Sequence, residues 1–249
     1  MEQLVSIIMP TYNCADYILE TIKSVQVQTW QNWELLIVDD CSSDNTEDII
    51  KSILKEDSRI NFYKLHQNSG AAMARNKAME MARGDYMAFL DSDDIWLPEK
   101  LEKQIGFMKE NDIYFSCTAY EWIDEKGTPL NKVINTVKKA DYNRLLLDCP
   151  VGNSTVMYNV SLLGKFVTPN IRKRNDDALW LQILKKEKYI YGMKDVLMKY
   201  RIRSNSISRN KLSLIKYHWK LYRDIEHLSI FRSIFHITYW IIIKILYIK

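Results

Sequence analysis

Short apolar runs in the first hundred residues alternate with stretches of helical periodicity. LVSIIM (4–9), WELLIV (33–38), INFYKL (60–65) and YMAFL (86–90) are rich in β-branched or aromatic residues and read as buried strands. Between the first two, Ile18, Ile22 and Val25 recur at helical spacing over 17–27. A second helical pattern opens after DDCSSDNT, where Asp44 and Glu47 stand in the D-x-x-E relation of a capping box. GAAMARNKAMEMA (70–82) predicts a third helix, and Pro98 suits the first turn of a fourth. Strands and helices in this rhythm predict an α/β fold: a parallel, doubly wound sheet with helices on both faces.

Beyond about residue 112 the alternation weakens. YFSCTAYEWI (114–123) and STVMY (154–158) read as strands and DYNRLLLD (141–148) as a short helix. From 211 to 249 the chain is rich in Ile, Leu, Tyr and Trp with few breakers, which predicts an amphipathic helical tail appended to a main domain over 1–210. Lys216, Lys220, Arg223 and His227 fall on one helical stripe with apolar surface opposite. Such a tail either rests on an anionic membrane face or packs on the domain or on a second copy of the chain. The longest run without an acidic or basic residue there, Ser233 to Ile243, falls short of the roughly 20 residues a bilayer span needs, so no transmembrane helix is expected.

Composition narrows the class further. With 249 residues, 47% hydrophobic and 27% charged, the chain can bury a sizeable core. A formal charge of +4 is too mild to point to nucleic acid. Four cysteines without a CxxC pair, and an N-terminus lacking a basic region followed by an apolar core, fit a reduced, cytoplasmic protein.

The polar clusters PTYN, DDCSSDNT, NSG and DSDD each directly follow an expected strand, and in such sheets ligands collect where these loops converge. FLDSDD (89–94) sets three carboxylates in four positions, an arrangement that is unfavourable unless something positive sits there. A GxGxxG fingerprint, a P-loop and HExxH are all absent, and the four histidines lack metal-ligand spacing. An oxygen-rich cluster suits Mg²⁺ or Mn²⁺ carrying a diphosphate. The alternative is that Asp91, Asp93 and Asp94 cap the helix near Pro98.

SIIMPTYN, ELLIVDDCSSDNT and NSGAAMARNKAMEMARGDYMAFLDSDD, in this order and at these intervals, closely resemble the bacterial glycosyltransferases of family 2, which have the GT-A fold: a Rossmann-like domain with a mostly parallel central sheet. The resemblance implies that Pro10 and Tyr12 of PTYN lie at the nucleotide, with Tyr12 stacking on the base. It implies that Asp40 reads the base edge, Asp91 contacts the ribose and Asp93 ligates the metal, with Arg75 nearby and Asp94 unassigned. An ionised carboxylate only accepts hydrogen bonds, so Asp40 favours the N3–H of uracil or thymine over the bare N3 of cytosine.

KRNDDALWLQILKK (173–186) resembles the family's acidic-acidic-x-x-Leu-Trp segment, which implies Asp176 as general base, with Asp177 the adjacent competitor and Asn175 where many relatives carry Glu. VLMKYRIRSNSISRNK (196–211) resembles the Tyr-Arg-x-(His or Arg)-x-x-Ser-x-Ser loop. Arg203 replaces a metal-binding His there, implying that Arg201 and Arg203 neutralise a leaving UDP. DALW, YRIR, SISRNK and Trp219-x-x-Tyr222-Arg223 look most like the subgroup typified by teichuronic acid biosynthesis glycosyltransferases. Together these imply a Mn²⁺- or Mg²⁺-dependent, inverting enzyme that moves a sugar from a UDP-sugar to a growing cell-surface glycan or lipid-linked saccharide. It would be cytoplasmic, with the tail offering contact to the inner face of the membrane or to a second copy. The rivals are a sugar nucleotidyltransferase, whose basic Gly-rich loop PTYNCAD does not supply, and a non-catalytic nucleotide-sugar-binding subunit.

Overall fold

The computed structural model describes residues 2–203 and 211–246. Its first half follows the expected alternation: β1 (Val5–Thr11), α1 (Ile18–Gln26), β2 (Trp33–Asp39), α2 (Thr46–Ile53), β3 (Ile60–Lys64), α3 (Ala71–Met81) and β4 (Tyr86–Phe89). These strands pair in parallel in the order β3-β2-β1-β4, with Val5 opposite Trp33 on one side and Tyr86 on the other.

Successive residues of β1 feed opposite faces. Val5, Ile7 and Met9 pack with Ile18, Ile22 and Val25 of α1, whereas Ile8 joins Ala74 and Ala78 of α3. Both faces are covered, which is why these strands read as continuous apolar runs instead of alternating ones.

The capping box at Asp44 does not form. The helix begins at Thr46, Asp44 Oδ1 accepts from the Thr46 amide (3.1 Å) and hydroxyl (2.6 Å), and Glu47 turns away to Lys51 and Lys64. Asp44 Oδ2 instead accepts from the Ala15 amide at 3.1 Å, tying the loop after β1 to the loop after β2. Pro98 likewise lies just ahead of its helix, in the turn leading to Lys100.

The second half makes the sheet mixed. It comprises β5 (Ile95–Trp96), α4 (Lys100–Glu110), β6 (Phe115–Ile123), β7 (Pro129–Ile134), β8 (Lys139–Ala140), α5 (Tyr142–Leu147), β9 (Met157–Asn159), α6 (Val160–Leu163), α7 (Asn175–Leu184) and β10 (Ile190–Arg201). The sheet continues β4-β9-β6-β10-β5. β10 runs parallel to β6, β9 and β5 are antiparallel to their neighbours, and β7 and β8 pair off the main path. The stretch expected as a strand over 154–158 is divided: Asn153–Thr155 form a 3₁₀ turn and only Met157–Asn159 pair.

Trp180 locks α7 to this sheet. Fully buried, it meets Phe89 edge-on (4.8 Å between centroids, 81°) and lies 5.8 Å from Phe115. Tyr158 stacks on the same Phe89 at 6.2 Å.

Two helices close the chain, α8 (Lys211–Lys220) and α9 (Ile230–Leu246). Between them the backbone widens into a π-helical turn over Leu221–Ile225, and His227 takes a left-handed conformation (φ 52°). The single stripe expected for Lys216, Lys220, Arg223 and His227 is therefore broken, and Arg223 donates from Nη1 to the Leu228 carbonyl. Leu221, Tyr222 and Leu228 belong to the same core cluster as Trp180. Beneath them His218 is buried between Tyr222 and Trp240 (ring centroids 5.7 and 4.5 Å), and neither ring nitrogen has a hydrogen-bond partner among the described residues.

This packing bears on stability in two ways. Trp180→Ala should lower the unfolding free energy by about 3–5 kcal/mol in denaturant titrations, through lost burial and the cavity left behind. Burial, assisted by Arg174 and Lys244, depresses the His218 imidazole from 6.5 to about 3. A histidine held neutral contributes fully above the unfolded value and progressively less as pH falls toward the folded one. Between about pH 6.5 and 4 the unfolding free energy should thus fall by about 1.4 kcal/mol per pH unit more in the native chain than in His218→Phe.

Candidate active site

The carboxyl ends of β1, β2 and β4 lie side by side, so the loops after them meet at one edge of the sheet. Hydrogen bonds between loops fix that edge. Asp39 accepts from the Ser42 amide (3.0 Å) and hydroxyl, and Ser42 Oγ in turn accepts from the Asn13 amide at 2.8 Å. Asn13 Oδ1 accepts from the Ser43 amide at 2.8 Å, and Thr46 Oγ1 from the Cys14 amide at 2.8 Å. Pro10 is buried at the end of β1 opposite Val38, and two residues on Tyr12 stands 49% exposed. An aromatic face is thereby open on a loop held rigid from both sides.

Asp40 is buried beneath this loop. Its two carboxylate oxygens accept from the Ser69 (2.6 Å) and Gly70 (2.8 Å) amides, and its carbonyl accepts from Asn68 Nδ2 at 3.1 Å. Gly70 starts α3 at φ 92°, a conformation that penalises any side chain. A carboxylate offers about four lone-pair sites, so these two amides orient Asp40 without exhausting it.

The acidic loop after β4 is held by partners far away in the chain, which no local pattern marks as its neighbours. Asp91 takes the Ser154 hydroxyl as acceptor for its amide (3.0 Å), and its Oδ1 accepts from Asn153 Nδ2 at 2.8 Å, with Arg75 Nη2 at 3.7 Å. Burial pushes its carboxyl up to about 6; Arg75 opposes that shift, while Asp93 and Asp176 add to it. Asp94 is fully enclosed. It accepts from Ser154 Oγ (2.5 Å) and the Arg201 amide (3.1 Å), and burial beside Asp93 and Asp91 raises it well above the carboxylate range. Asp94 is thus the structural member of the trio. Asp91 and Asp93 face outward, with side chains 36% and 23% exposed.

Arg201 and Arg203 part ways. Arg201 is buried, and its guanidinium is already engaged: Nε donates to the Asp93 carbonyl (2.9 Å), Nη1 to the carbonyls of Asp124 and Glu125, and Nη2 to Glu20 (2.6 Å). It clamps the acidic loop to the end of β10. Arg203 is the more accessible of the two. It donates from Nη1 to Asp93 Oδ2 at 3.0 Å and lies over Tyr17. The Ser-x-Ser part of that loop (204–210) lies outside the described residues.

α7 enters from the opposite side. Arg174 precedes it in the left-handed region (φ 64°), and Arg75 Nη1 donates to Asn175 Oδ1, so one buried guanidinium joins Asp91 to the head of α7. Asp177 is buried, accepts from Arg174 Nη1 at 2.9 Å, and is raised by burial against the pull of that cation. Asp176 is half-buried, and its charge is felt at Asp91. Of the two adjacent carboxylates, Asp177 is tied into the protein and Asp176 is the more accessible.

Among the described residues no group of three or more His, Cys, Asp or Glu converges as a self-sufficient metal site. A cation shared with a diphosphate needs less: Mg²⁺ is commonly held by one or two carboxylates plus substrate phosphate oxygens. Asp93, outward-facing on a clamped loop beside Asp91, fits that donor set.

Comparisons with known proteins identify the family. The family model described as glycosyl transferase family 2 matches residues 6–166. A Bacillus subtilis glycosyltransferase, TuaG, whose name assigns it to teichuronic acid biosynthesis, is 47% identical over 92% of this chain and 91% of its own. The Escherichia coli enzyme named UDP-Glc:alpha-D-GlcNAc-diphosphoundecaprenol beta-1,3-glucosyltransferase WfgD is 41% identical over 97% of this chain and 94% of its own. Among solved structures, Staphylococcus aureus TarS 1-349 with UDP-GlcNAc superposes with a TM-score of 0.71 at 20% identity, covering 88% of this chain and 65% of that fragment, a likeness of fold. With the loops, the acidic edge and the Leu-Trp helix in these positions, the chain belongs to glycosyltransferase family 2, has the GT-A fold and is a nucleotide-sugar-dependent transferase.

Proposed function

We propose that this enzyme transfers a sugar from a UDP-sugar, with inversion and with a divalent cation, to a hydroxyl of a lipid-linked or growing cell-surface glycan. One observation carries the proposal: Asp176 is close enough for its charge to be felt at Asp91 in the acidic loop, whereas the neighbouring Asp94 and Asp177 are both committed to the protein. The relative named as a UDP-Glc transferase acting on a diphosphoundecaprenol-linked sugar supports this donor and acceptor class.

In this scheme Tyr12 stacks on the uracil and Asp40 accepts its N3–H, a match that cytosine lacks. Asp91 accepts from the ribose hydroxyls. Asp93 would hold Mn²⁺ or Mg²⁺ together with the diphosphate, and a cation bound there would supply positive charge against the departing UDP. Arg203, with donors beyond the one given to Asp93, reaches the same oxygens. Arg201 and Arg75 act by position: the first fixes the Asp93 backbone, the second sets the head of α7 relative to Asp91.

Asp176 takes the proton of the acceptor hydroxyl as that oxygen attacks the anomeric carbon. The bond to the diphosphate breaks on the opposite side and its electron pair leaves with UDP, so the configuration inverts. An acceptor carried on a lipid places the enzyme at the cytoplasmic face of a membrane as a peripheral protein. No helix among the described residues is long and apolar enough to cross one.

Asp176→Asn should reduce transfer at least about a thousandfold, taking general-base catalysis at the middle of its usual range, while calorimetric UDP affinity in Mn²⁺ stays within about twofold. Full turnover in Asp176→Asn removes the base assignment. Asp93→Asn should instead abolish the gain in UDP affinity that Mn²⁺ confers. A panel of UDP-, dTDP- and GDP-sugars assayed for donor hydrolysis should favour UDP, and preference for a purine nucleotide contradicts the role given to Asp40.

A further inference from the structure

The two faces of α9 have opposite characters. Ser233, His236 and Trp240 are buried, and Trp240 lies under Arg174, whose guanidinium carbon is 5.7 Å from its ring centroid. On the other face Phe231 is 86% and Phe235 60% exposed, and Ile230, Ile234 and Ile242 are each about half exposed. Phe231 and Phe235 also border a groove of about 420 Å³ against α5, lined by Asn143, Leu147, Phe231, Arg232, Phe235 and His236. Large aromatic and aliphatic side chains presented together on one helix make a contiguous apolar patch of the kind that marks an interaction surface.

The charges around the patch say what covers it. From His227 to Lys249 the sequence contains no Asp or Glu, and Arg232 is exposed within the patch itself. Lys244 stands near its far end, and Lys216 and Lys220 are exposed on the adjoining α8. A second copy meeting this face through a two-fold axis would bring one cationic surface against another, which repel. An anionic lipid surface supplies the complementary charge and a hydrocarbon layer for the rings. At 17 residues α9 is about 26 Å long, suited to lying in the interface.

We propose that the outward face of α9 docks this enzyme onto an anionic phospholipid bilayer, with Phe231, Ile234 and Phe235 entering the acyl boundary and Arg232 and Lys244 among the headgroups. Such docking deepens the lipid-linked acceptor proposed above and rests on it for its purpose. It also gives the enzyme an orientation, because the buried face of the same helix supports Arg174 at the head of α7, where Asp176 resides.

The full chain is tested by flotation with vesicles of phosphatidylglycerol and phosphatidylcholine against phosphatidylcholine alone. The native chain should float with the anionic vesicles and be released in part by high salt. Phe231→Glu with Phe235→Glu should lower the bound-to-free ratio about tenfold or more. Arg232→Glu should lower it severalfold, with unchanged circular dichroism in both variants. Recovery of the native chain in the soluble fraction with both vesicle types overturns the docking, as does flotation of the double variant equal to native. So does a native dimer on size-exclusion chromatography that the double variant converts to monomer, which assigns the face to self-association. Donor hydrolysis with UDP-sugar and Mn²⁺, measured without vesicles, reports separately on the transferase reading: a chain that hydrolyses donor but never floats loses only the docking.

Discussion

The contact between Trp180 and Phe89 is the constraint on which the site depends. Phe89 ends β4, two residues before Asp91, and Trp180 lies one helical turn after Asp176 on the same face of α7. Edge-on packing at 4.8 Å between these rings fixes where α7 crosses the sheet. The donor loop and the proposed base come from chain segments more than eighty residues apart, so no local structure could bring them together. Burial of one indole in the core, backed by Phe115 and Tyr158, sets their separation, and the apolar contact thereby determines a polar geometry.

Electrostatics then sorts carboxylates that sit side by side. In each acidic pair at least one member is bonded into the protein: Asp39 to Ser42 and Asp40 to the Ser69 and Gly70 amides, Asp94 to Ser154 and the Arg201 amide, Asp177 to Arg174. The outward members of the last two, Asp93 and Asp176, are the ones proposed to meet cation and acceptor. Placing several negative charges at one edge is costly, and Arg75, Arg174, Arg201 and Arg203 offset it from four directions. Because Arg75 touches both Asp91 and Asn175, it is also a polar link between the acidic loop and the head of α7.

The first hundred residues were legible because their strands are buried on both faces and their loops are polar, so periodicity alone separates the two. Family motifs in the sequence point to Asp40, Asp91, Asp93 and Asp176; the first three lie on loops at the carboxyl ends of β2 and β4, and the charge of Asp176 is felt at Asp91. What sequence could not supply was pairing across distance. Nothing local marks Ser154 as the hydroxyl that organises the acidic loop, or Glu20 as the counter-ion that ties down Arg201. β10 was missed as a strand because its register on β6 slips twice, between Met193 and Val196 and between Val196 and Lys199, which blurs the alternation of period two. The tail misled for a related reason. Its basic residues are evenly spaced for a continuous helix, but the π-helical turn and the left-handed His227 rotate α9 relative to α8, so the exposed surface passes from the Lys216–Lys220 side of α8 to the aromatic side of α9.

That rotation determines what each face of the tail meets. A single uninterrupted helix could present either its basic stripe or its apolar stripe to the domain, not both in turn. By breaking after Ile225, the chain buries His218 and Trp240 against each other and against Arg174, and frees the Phe231–Phe235 side. Arg174 carries two duties as a result: it holds Asp177, so that Asp176 is the accessible carboxylate, and it rests on the helix whose far side is open. The open face of α9 is thus separated from the residue next to the proposed base by one indole and one guanidinium.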